Sequence, residues 1–125
     1  MGKSLGMTRW VIPEGYVPTW SHGSTPELKS HEAACVLNAS DADAHLSVWI
    51  YFEDREPAGP YRFVVGARRT KHIRLSELRD PEPLPAGTNY STLVESDVPV
   101  VVQYTRLDSR QAENSLMTTL AYPCG

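Results

Sequence analysis

Short runs of apolar and β-branched residues alternate with breaks rich in Pro, Gly, Asn and Asp along the whole chain. Runs of this kind predict β-strands, and the breaks supply the turn residues that end them. Only Ser76–Arg79 and Ser109–Glu113 favour helical turns, and both are short. The predicted strands are Thr8–Ile12, His31–Asn38, His45–Glu53, Tyr61–Val65, Thr70–Leu75, Val98–Leu107 and Leu116–Tyr122. About seven strands at this spacing favour an all-β sandwich or barrel.

Alternation within His45–Glu53 separates two faces of that strand. Leu46, Val48 and Ile50 fall on one face, which is predicted to be core. Trp49 and Tyr51 fall on the opposite, mixed face, where two large aromatic side chains need a cover. Two explanations fit this face equally well. Either the aromatics pack inside the protomer, under a loop or against the second sheet of a sandwich, or they contact another subunit.

Two further strands place polar groups near the predicted core. In Thr70–Leu75, Lys71 shares a face with Ile73, and Arg69 joins that face if pairing extends backwards. Both cations are therefore expected at the mouth of any cavity between the sheets. Val98–Leu107 has apolar residues on both faces, which predicts that Gln103 is an interior polar group that requires partners.

Composition indicates one ordinary soluble domain. The 125 residues include 41% hydrophobic and 22% charged residues, and the net charge is −3. A chain of this charge can bind nucleic acid only through a local basic patch. Cys35 lies in an apolar run and is expected to be a buried thiol, and two cysteines in this setting favour a reducing cytoplasm. No apolar stretch approaches the length of a membrane span.

Catalytic patterns are scarce in this sequence. It has no nucleophile elbow, P-loop or dinucleotide-binding glycine pattern. The four histidines, which include His22, His31 and His45, lack metal-ligand spacing. The sequence therefore predicts a protein that is not an enzyme, with no metal and no cofactor.

Three polar clusters remain as candidates for binding. Trp10 and Trp20 flank Glu14-Gly15-Tyr16, a combination that suits polyhydroxylated ligands, although Trp10 alone is better explained as core. His31 and Glu32 begin a strand and point to opposite faces. Basic and amide side chains are dense in 68–72 and 106–114, where they could bind anions or balance neighbouring acids.

Read in order, these strings resemble the sensory rhodopsin transducer family over nearly the whole chain. The matching strings are Trp10 with Glu14-Gly15-Tyr16, Ser30-His31-Glu32, Leu37-Asn38-Ala39, Asp43-Ala44-His45, Glu56-Pro57, Gly59-Pro60-Tyr61-Arg62, Ala67-Arg68-Arg69-Thr70-Lys71-His72, Val102-Gln103 and Thr105 through Asn114. The loop Thr19–Lys29 and Gly66 depart from the pattern. The resemblance implies a single domain over residues 1–125, an antiparallel, jelly-roll-like β-sandwich of about seven to eight strands. It also implies a homotetramer in the cytoplasm.

The resemblance implies a partner as well, the cytoplasmic side of a microbial sensory rhodopsin, and signalling through that contact is the main functional hypothesis. A sensor of sugar-like small molecules is the alternative, and DNA binding is the weakest. Trp49 and Tyr51 are the candidate subunit interface. The candidate ligand residues are Trp10, Glu14, His31, Glu32, Arg69, Gln103 and Arg106. The candidate DNA contacts are Arg68, Arg69, Lys71, Arg74 and Arg110.

Overall fold

The computed structural model describes residues 4–20, 30–110 and 115–125. Within these ranges the chain forms eight strands and one 3-10 turn, Leu75–Glu77. Nowhere in them is there a helix long and apolar enough to cross a bilayer. The strands are β1 (Met7–Ile12), β2 (His31–Asn38), β3 (Ala44–Phe52), β4 (Ala58–Val65), β5 (Arg69–Arg74), β6 (Tyr90–Asp108), β7 (Ser115–Leu120) and β8 (Tyr122–Pro123).

The long strand β6 organises the whole sheet. Its first half pairs with β1 and β3, and its second half pairs with β2 and β7. The outer strands extend these two groups, with β4 beside β3, β8 beside β1 and β5 beside β2. All of these pairings are antiparallel, as the sequence predicted. One strand thus belongs to both halves of the fold.

Side chains from both halves meet in one hydrophobic core. Leu46, Val48 and Ile50 come from β3, and Val36 and Val102 come from β2 and the second half of β6. Each of these five side chains is at most 2% exposed. The all-β antiparallel fold class is therefore confirmed.

The first half of β6 is the main element that the sequence did not predict. The predicted strand began at Val98, whereas the observed strand begins at Tyr90. Pro99, which lies inside both the predicted and the observed strand, lacks a backbone N–H. It lies between Ser96, the last residue that pairs with β3, and Val101, the first that pairs with β2, at a register shift in the pairing with β1. A proline is tolerated there because the ladder is already changing partners.

The face predictions are correct for β3 and wrong at two positions elsewhere. Leu46, Val48 and Ile50 are buried as expected, while Trp49 is half-buried and Tyr51 is exposed. Gln103 is exposed and hydrogen-bonds the Thr118 hydroxyl on β7, because the face of β6 that carries it points away from the core. Cys35 is half-buried rather than buried, since it alternates with the core residues Ala34 and Val36.

Some sequence-based expectations lie outside the described residues. His22 and most of the loop Thr19–Lys29 fall in residues 21–29, and the end of the predicted turn Ser109–Glu113 falls in residues 111–114. The other predicted turn, Ser76–Arg79, appears in shortened form as the 3-10 turn at Leu75–Glu77.

Candidate functional site

Glu32 is a charged residue type buried at the start of a core strand. It is the second residue of β2, and only 1% of it is exposed. Its side chain points to the same side as Ala34 and Val36, the core face of the strand. A buried carboxyl group is costly unless donors surround it, so its partners define the site.

Three hydrogen-bond donors and one guanidinium group converge on the Glu32 carboxyl group. The Tyr104 hydroxyl donates to Oε2 at 2.7 Å and the Tyr16 backbone N–H donates to the same oxygen at 2.9 Å. The Tyr90 hydroxyl donates to Oε1. The guanidinium of Arg106 lies 3.4 Å from Oε2, measured from Nε. Both oxygens are therefore satisfied within the fold.

Arg106 extends this group of contacts to the surface. Its Nη1 lies 3.1 Å from Oε2 of Glu14, so one guanidinium bridges two carboxylates. Exposure of the three side chains rises from 1% at Glu32 through 17% at Arg106 to 65% at Glu14. We refer to Glu14, Tyr16, Glu32, Tyr90, Tyr104 and Arg106 as the Glu32 cluster. It forms a continuous polar path from the solvent into the core.

Tyr90 and Tyr104 remain protonated over the ordinary pH range. Burial, and then the charge of Glu32, raises the pKa of Tyr90 well above its ordinary value. Burial, followed by the hydrogen bond to Glu32, raises the pKa of Tyr104 in the same direction. Both phenols therefore act as hydrogen-bond donors that position Glu32. Solvent reaches Glu14 and parts of Tyr16 and Arg106.

The structure brings together three of the seven predicted ligand residues, Glu14, Glu32 and Arg106. Trp10 is only 4% exposed, and its indole N–H donates to the backbone carbonyls of Met7 at 3.1 Å and Val100 at 2.9 Å. This placement matches the interpretation of Trp10 as core.

The other three predicted ligand residues lie away from these contacts. Arg69 is exposed and donates to the carbonyls of Ala67 and Arg68 in its own turn. Gln103 faces β7, as described above. His31 is half-buried and alternates with Glu32 along β2, so its side chain points to the opposite face, as predicted.

Three members of the cluster were missed as site residues by the sequence reasoning. Tyr16 stood in the aromatic string after Glu14, but its contribution is a backbone N–H, which no side-chain pattern reveals. Tyr104 followed the core alternation of its strand, and Tyr90 lay before the predicted start of that strand. The usable signal was the pair of core-facing tyrosines on β6, since a buried phenol requires a hydrogen-bond partner.

The predicted basic residues do not form one surface. Arg68 and Lys71 are exposed near or on β5, and Arg68 lies 3.3 Å from Asp41. Arg74 lies 3.9 Å from Glu77. Arg110 pairs with Asp108 at 2.8 Å, and its guanidinium carbon lies 5.9 Å from the centre of the Tyr16 ring. Arg110 thus adjoins the Glu32 cluster rather than β5.

Trp49 and Tyr51 lie on the outer face of β3, beside a shallow depression of about 490 Å³. Leu93, Glu56 and Glu95 also line it. Tyr51 is 45% exposed. These two aromatics are thus available for contact, with carboxylates nearby.

No group of three or more His, Cys, Asp or Glu side chains with metal-binding geometry occurs in the part of the chain that the structure describes.

A protein-family model matches this chain, and solved structures are similar to it. The model for the Anabaena sensory rhodopsin transducer family matches residues 5–123. A structure of the Anabaena sensory rhodopsin transducer is 50% identical, with a TM-score of 0.76, over 83% of this chain and 100% of that one. A crystal structure of Thermotoga maritima 1070 is 34% identical, with a TM-score of 0.83, over 96% and 97% of the two chains. Comparison with curated proteins finds no match.

Proposed function

Because the chain belongs to the Anabaena sensory rhodopsin transducer family, we propose that it is a non-enzymatic signalling module that binds the cytoplasmic face of a microbial sensory rhodopsin. The observation that carries this proposal is the 50% identity to the Anabaena transducer over that protein's full length. The chain therefore works in the cytoplasm, beside a partner that lies in the membrane.

The contacts of the Glu32 cluster support a binding module rather than an enzyme. Its buried carboxyl group already accepts three hydrogen bonds and pairs with Arg106. The pKa values of Tyr90 and Tyr104 are raised, which keeps both phenols protonated. A general base or nucleophile requires the opposite, a group whose pKa is tuned for proton transfer near the working pH. The cluster serves to hold the sheets together and to present Glu14 and Arg106 at the surface.

Rhodopsin binding is tested by titrating the purified chain into lipid nanodiscs that contain the Anabaena sensory rhodopsin, with calorimetric detection. We expect saturable binding with a Kd in the range of about 1–100 µM, and a change in photocycle kinetics at saturation. Nanodiscs with a light-driven proton pump are the matched control. Equal heats from both kinds of nanodisc, or none from either, would overturn the proposal.

A homotetramer is part of the same proposal. The homotetramer is supported by apolar side chains that are exposed on the single protomer. These include Leu116 and Leu120 on β7, which are 72% and 61% exposed. Tyr51 on the outer face of β3 offers a second candidate contact. Large exposed apolar side chains are typical of protein interfaces when they lie together in a patch.

A sensor of polyhydroxylated small molecules is the second candidate function, supported by one observation. The largely shielded Arg106 bridges an exposed and a buried carboxylate, and such an ion pair can exchange its exposed partner for a ligand hydroxyl. Glu14 and Arg106 are therefore the proposed contacts.

This second function is tested by thermal shift against a panel of sugars and polyols. A saturable rise in melting temperature that Glu14→Ala abolishes and the exposed control Asp54→Ala preserves supports the sensor. A rise that both variants retain contradicts these contacts. DNA binding through Arg68, Arg69, Lys71, Arg74 and Arg110 stays a prediction.

A further inference from the structure

A cleft of about 710 Å³ opens between β4 and β5 and shares no residue with the Glu32 cluster. One wall is the first part of β4, the other is the end of β5, and residues 77–81 close the far side. Its volume falls within the range of small-molecule binding sites, about 300–1,000 Å³. We call it the β4–β5 cleft.

Positive charge is concentrated in this cleft, although the chain as a whole has a net charge of −3. Its cationic side chains are Arg62, Lys71, Arg74 and Arg79, against the carboxylates of Glu77 and Asp80. Neither Arg62 nor Lys71 makes an ion pair with a residue in the described ranges. Their charges are thus left for an external anion.

Arg79 is held in position without being neutralised. Its Nη1 donates to the backbone carbonyls of Leu78 at 2.9 Å and Ser76 at 3.2 Å. Carbonyl groups fix the guanidinium but do not cancel its charge. A cation fixed in advance loses less entropy when it binds an anion, which favours recognition over an incidental contact.

The strand edges add backbone donors to these side chains. β4 pairs only with β3 and β5 only with β2 among the described strands, so one edge of each strand is open. An open edge presents unpaired backbone N–H groups. Like side-chain donors, these groups can hydrogen-bond an anion.

The cleft also has an apolar floor. Tyr61, Ile73 and Leu78 line it, and each is at most 4% exposed. The Tyr61 hydroxyl donates to the Glu82 carbonyl at 2.7 Å, so its ring is fixed. Cations at the rim over an apolar floor match a ligand with an anionic group and an apolar body.

We propose that the β4–β5 cleft binds a small organic anion whose carboxylate or phosphate contacts Lys71 and Arg79 and whose apolar part lies over Ile73. This goes beyond rhodopsin contact, because it adds a ligand site on a different surface. It also differs from the sugar-sensor hypothesis in both its residues and its ligand chemistry.

The test uses phenyl phosphate and inorganic phosphate as probes, with calorimetry for affinity and backbone-amide NMR for location. We expect phenyl phosphate to bind with a Kd of about 1 mM and inorganic phosphate at least several-fold more weakly, because it lacks the apolar part. Amide shifts should map to β4 and β5.

Variants that each remove one positive charge show which side chains bind the anion. Lys71→Gln and Arg79→Gln should each weaken phenyl phosphate binding about tenfold, whereas Arg68→Gln, an exposed cation outside the cleft, should leave it unchanged. Lys71 is exposed, so its variant keeps the fold. No binding by phenyl phosphate, equal weakening in all three variants, or amide shifts confined to the Glu32 cluster would overturn the proposal.

Discussion

At the scale of single residues, Glu32 is a buried carboxyl group that four other residues contact. Its carboxyl group accepts from Tyr16, Tyr90 and Tyr104 and lies beside Arg106. Such an arrangement is stable only as a complete set, because a donor left without its acceptor in the core loses the hydrogen bond it would make with water. Substitution of the acceptor therefore affects every donor together.

Glu32→Gln is expected to lower the free energy of unfolding by about 3 kcal/mol. The amide keeps the size of the side chain but removes the charge that faces Arg106, and its NH2 group opposes one of the donors. Urea denaturation measures this loss. Glu14→Gln is the control, since Glu14 is 65% exposed, and it should cost less than about 1 kcal/mol. Equal urea midpoints for the two variants would show that the buried contacts of Glu32 add no more to stability than the exposed contact of Glu14.

Alkaline pH should destabilise the fold through its buried tyrosines. Their folded-state pKa values are raised, so the contribution of Tyr90 and Tyr104 is complete below the unfolded value, about 10, and is lost as the pH rises above it. Each tyrosine that stays protonated lowers the free energy of unfolding by about 1.4 kcal/mol per pH unit.

Urea denaturation between about pH 9 and pH 11 measures this slope, and tyrosinate absorbance follows ionisation. Tyr90→Phe, which removes one of the protected phenols, should reduce the slope by one such contribution. A slope in the variant equal to that of the wild type would show that Tyr90 ionises freely in the folded protein.

At the scale of elements, β6 is the strand on which the fold depends. Tyr90 and Tyr104 lie fourteen residues apart on it, which corresponds to roughly 46 Å of extended chain, yet both hydroxyls reach the same carboxyl group. The strand must therefore curve strongly as it changes partners near Pro99. Glu32 joins the two ends of this curve.

Gly15 lies against the start of β6 and should not tolerate a side chain. A Cβ atom there would lie 2.5 Å from Cε2 of Tyr90, whose ring is held by Glu32. Gly15→Ala is thus expected to cost about 1–3 kcal/mol in thermal or urea unfolding.

Gly66→Ala is the control for this overpacking. The nearest atom to its added Cβ would be the flexible Arg69 side chain at 3.4 Å, so its stability should change by less than about 0.5 kcal/mol. A larger loss at Gly66 than at Gly15 would contradict the packing described for Tyr90.

Sequence patterns predict the elements of this fold better than they predict its site. Alternation identified the core face of β3 because Leu46, Val48 and Ile50 repeat every second residue. The same alternation wrongly predicted that Gln103 is buried. Its strand carries apolar residues on both faces, so the pattern does not show which face lies against the core. The first half of β6 was missed because the polar residues 95–97 interrupt the apolar alternation just before the predicted start of the strand.

The site required information that no local pattern holds. Glu32 and Arg106 are directly opposite each other across β2 and β6, but that register becomes visible only when the strands are paired. The polar clusters of the sequence include both residues, but in different clusters, Glu32 with His31 and Arg106 in the basic stretch 106–114. The curve of β6, which brings Tyr90 back to the same carboxyl group, is a tertiary feature that the sequence pattern does not contain.

At the scale of the whole molecule, one protomer leaves β7 exposed. Every residue of β7 from Leu116 to Leu120 is exposed, and Leu116 and Leu120 share one side of the strand. An exposed strand with apolar side chains is a site of association. The tetramer proposed above would cover it.

The double variant Leu116→Asp/Leu120→Asp is expected to dissociate the tetramer, measured by size exclusion with light scattering. Val64→Asp is the control, because Val64 is also 51% exposed but lies on β4. Dissociation by Tyr51→Asp instead would place the interface on the outer face of β3. A wild-type chain that is monomeric at micromolar concentration would contradict the tetramer itself.

The residues of the Glu32 cluster are far apart in the sequence, and this separation affects how the chain folds. Tyr90 follows Glu32 by 58 residues, Tyr104 follows it by 72, and Arg106 follows Glu14 by 92. Loop closure over such separations costs entropy before the contacts offset it, and all-β domains rich in them fold in about milliseconds to seconds. We therefore expect hairpins of short sequence separation, such as β3–β4, to form early, and the cluster to form late, when β2 has met β6. A chain that is only partly folded therefore lacks its polar centre, and the presence of that centre reports that folding is complete.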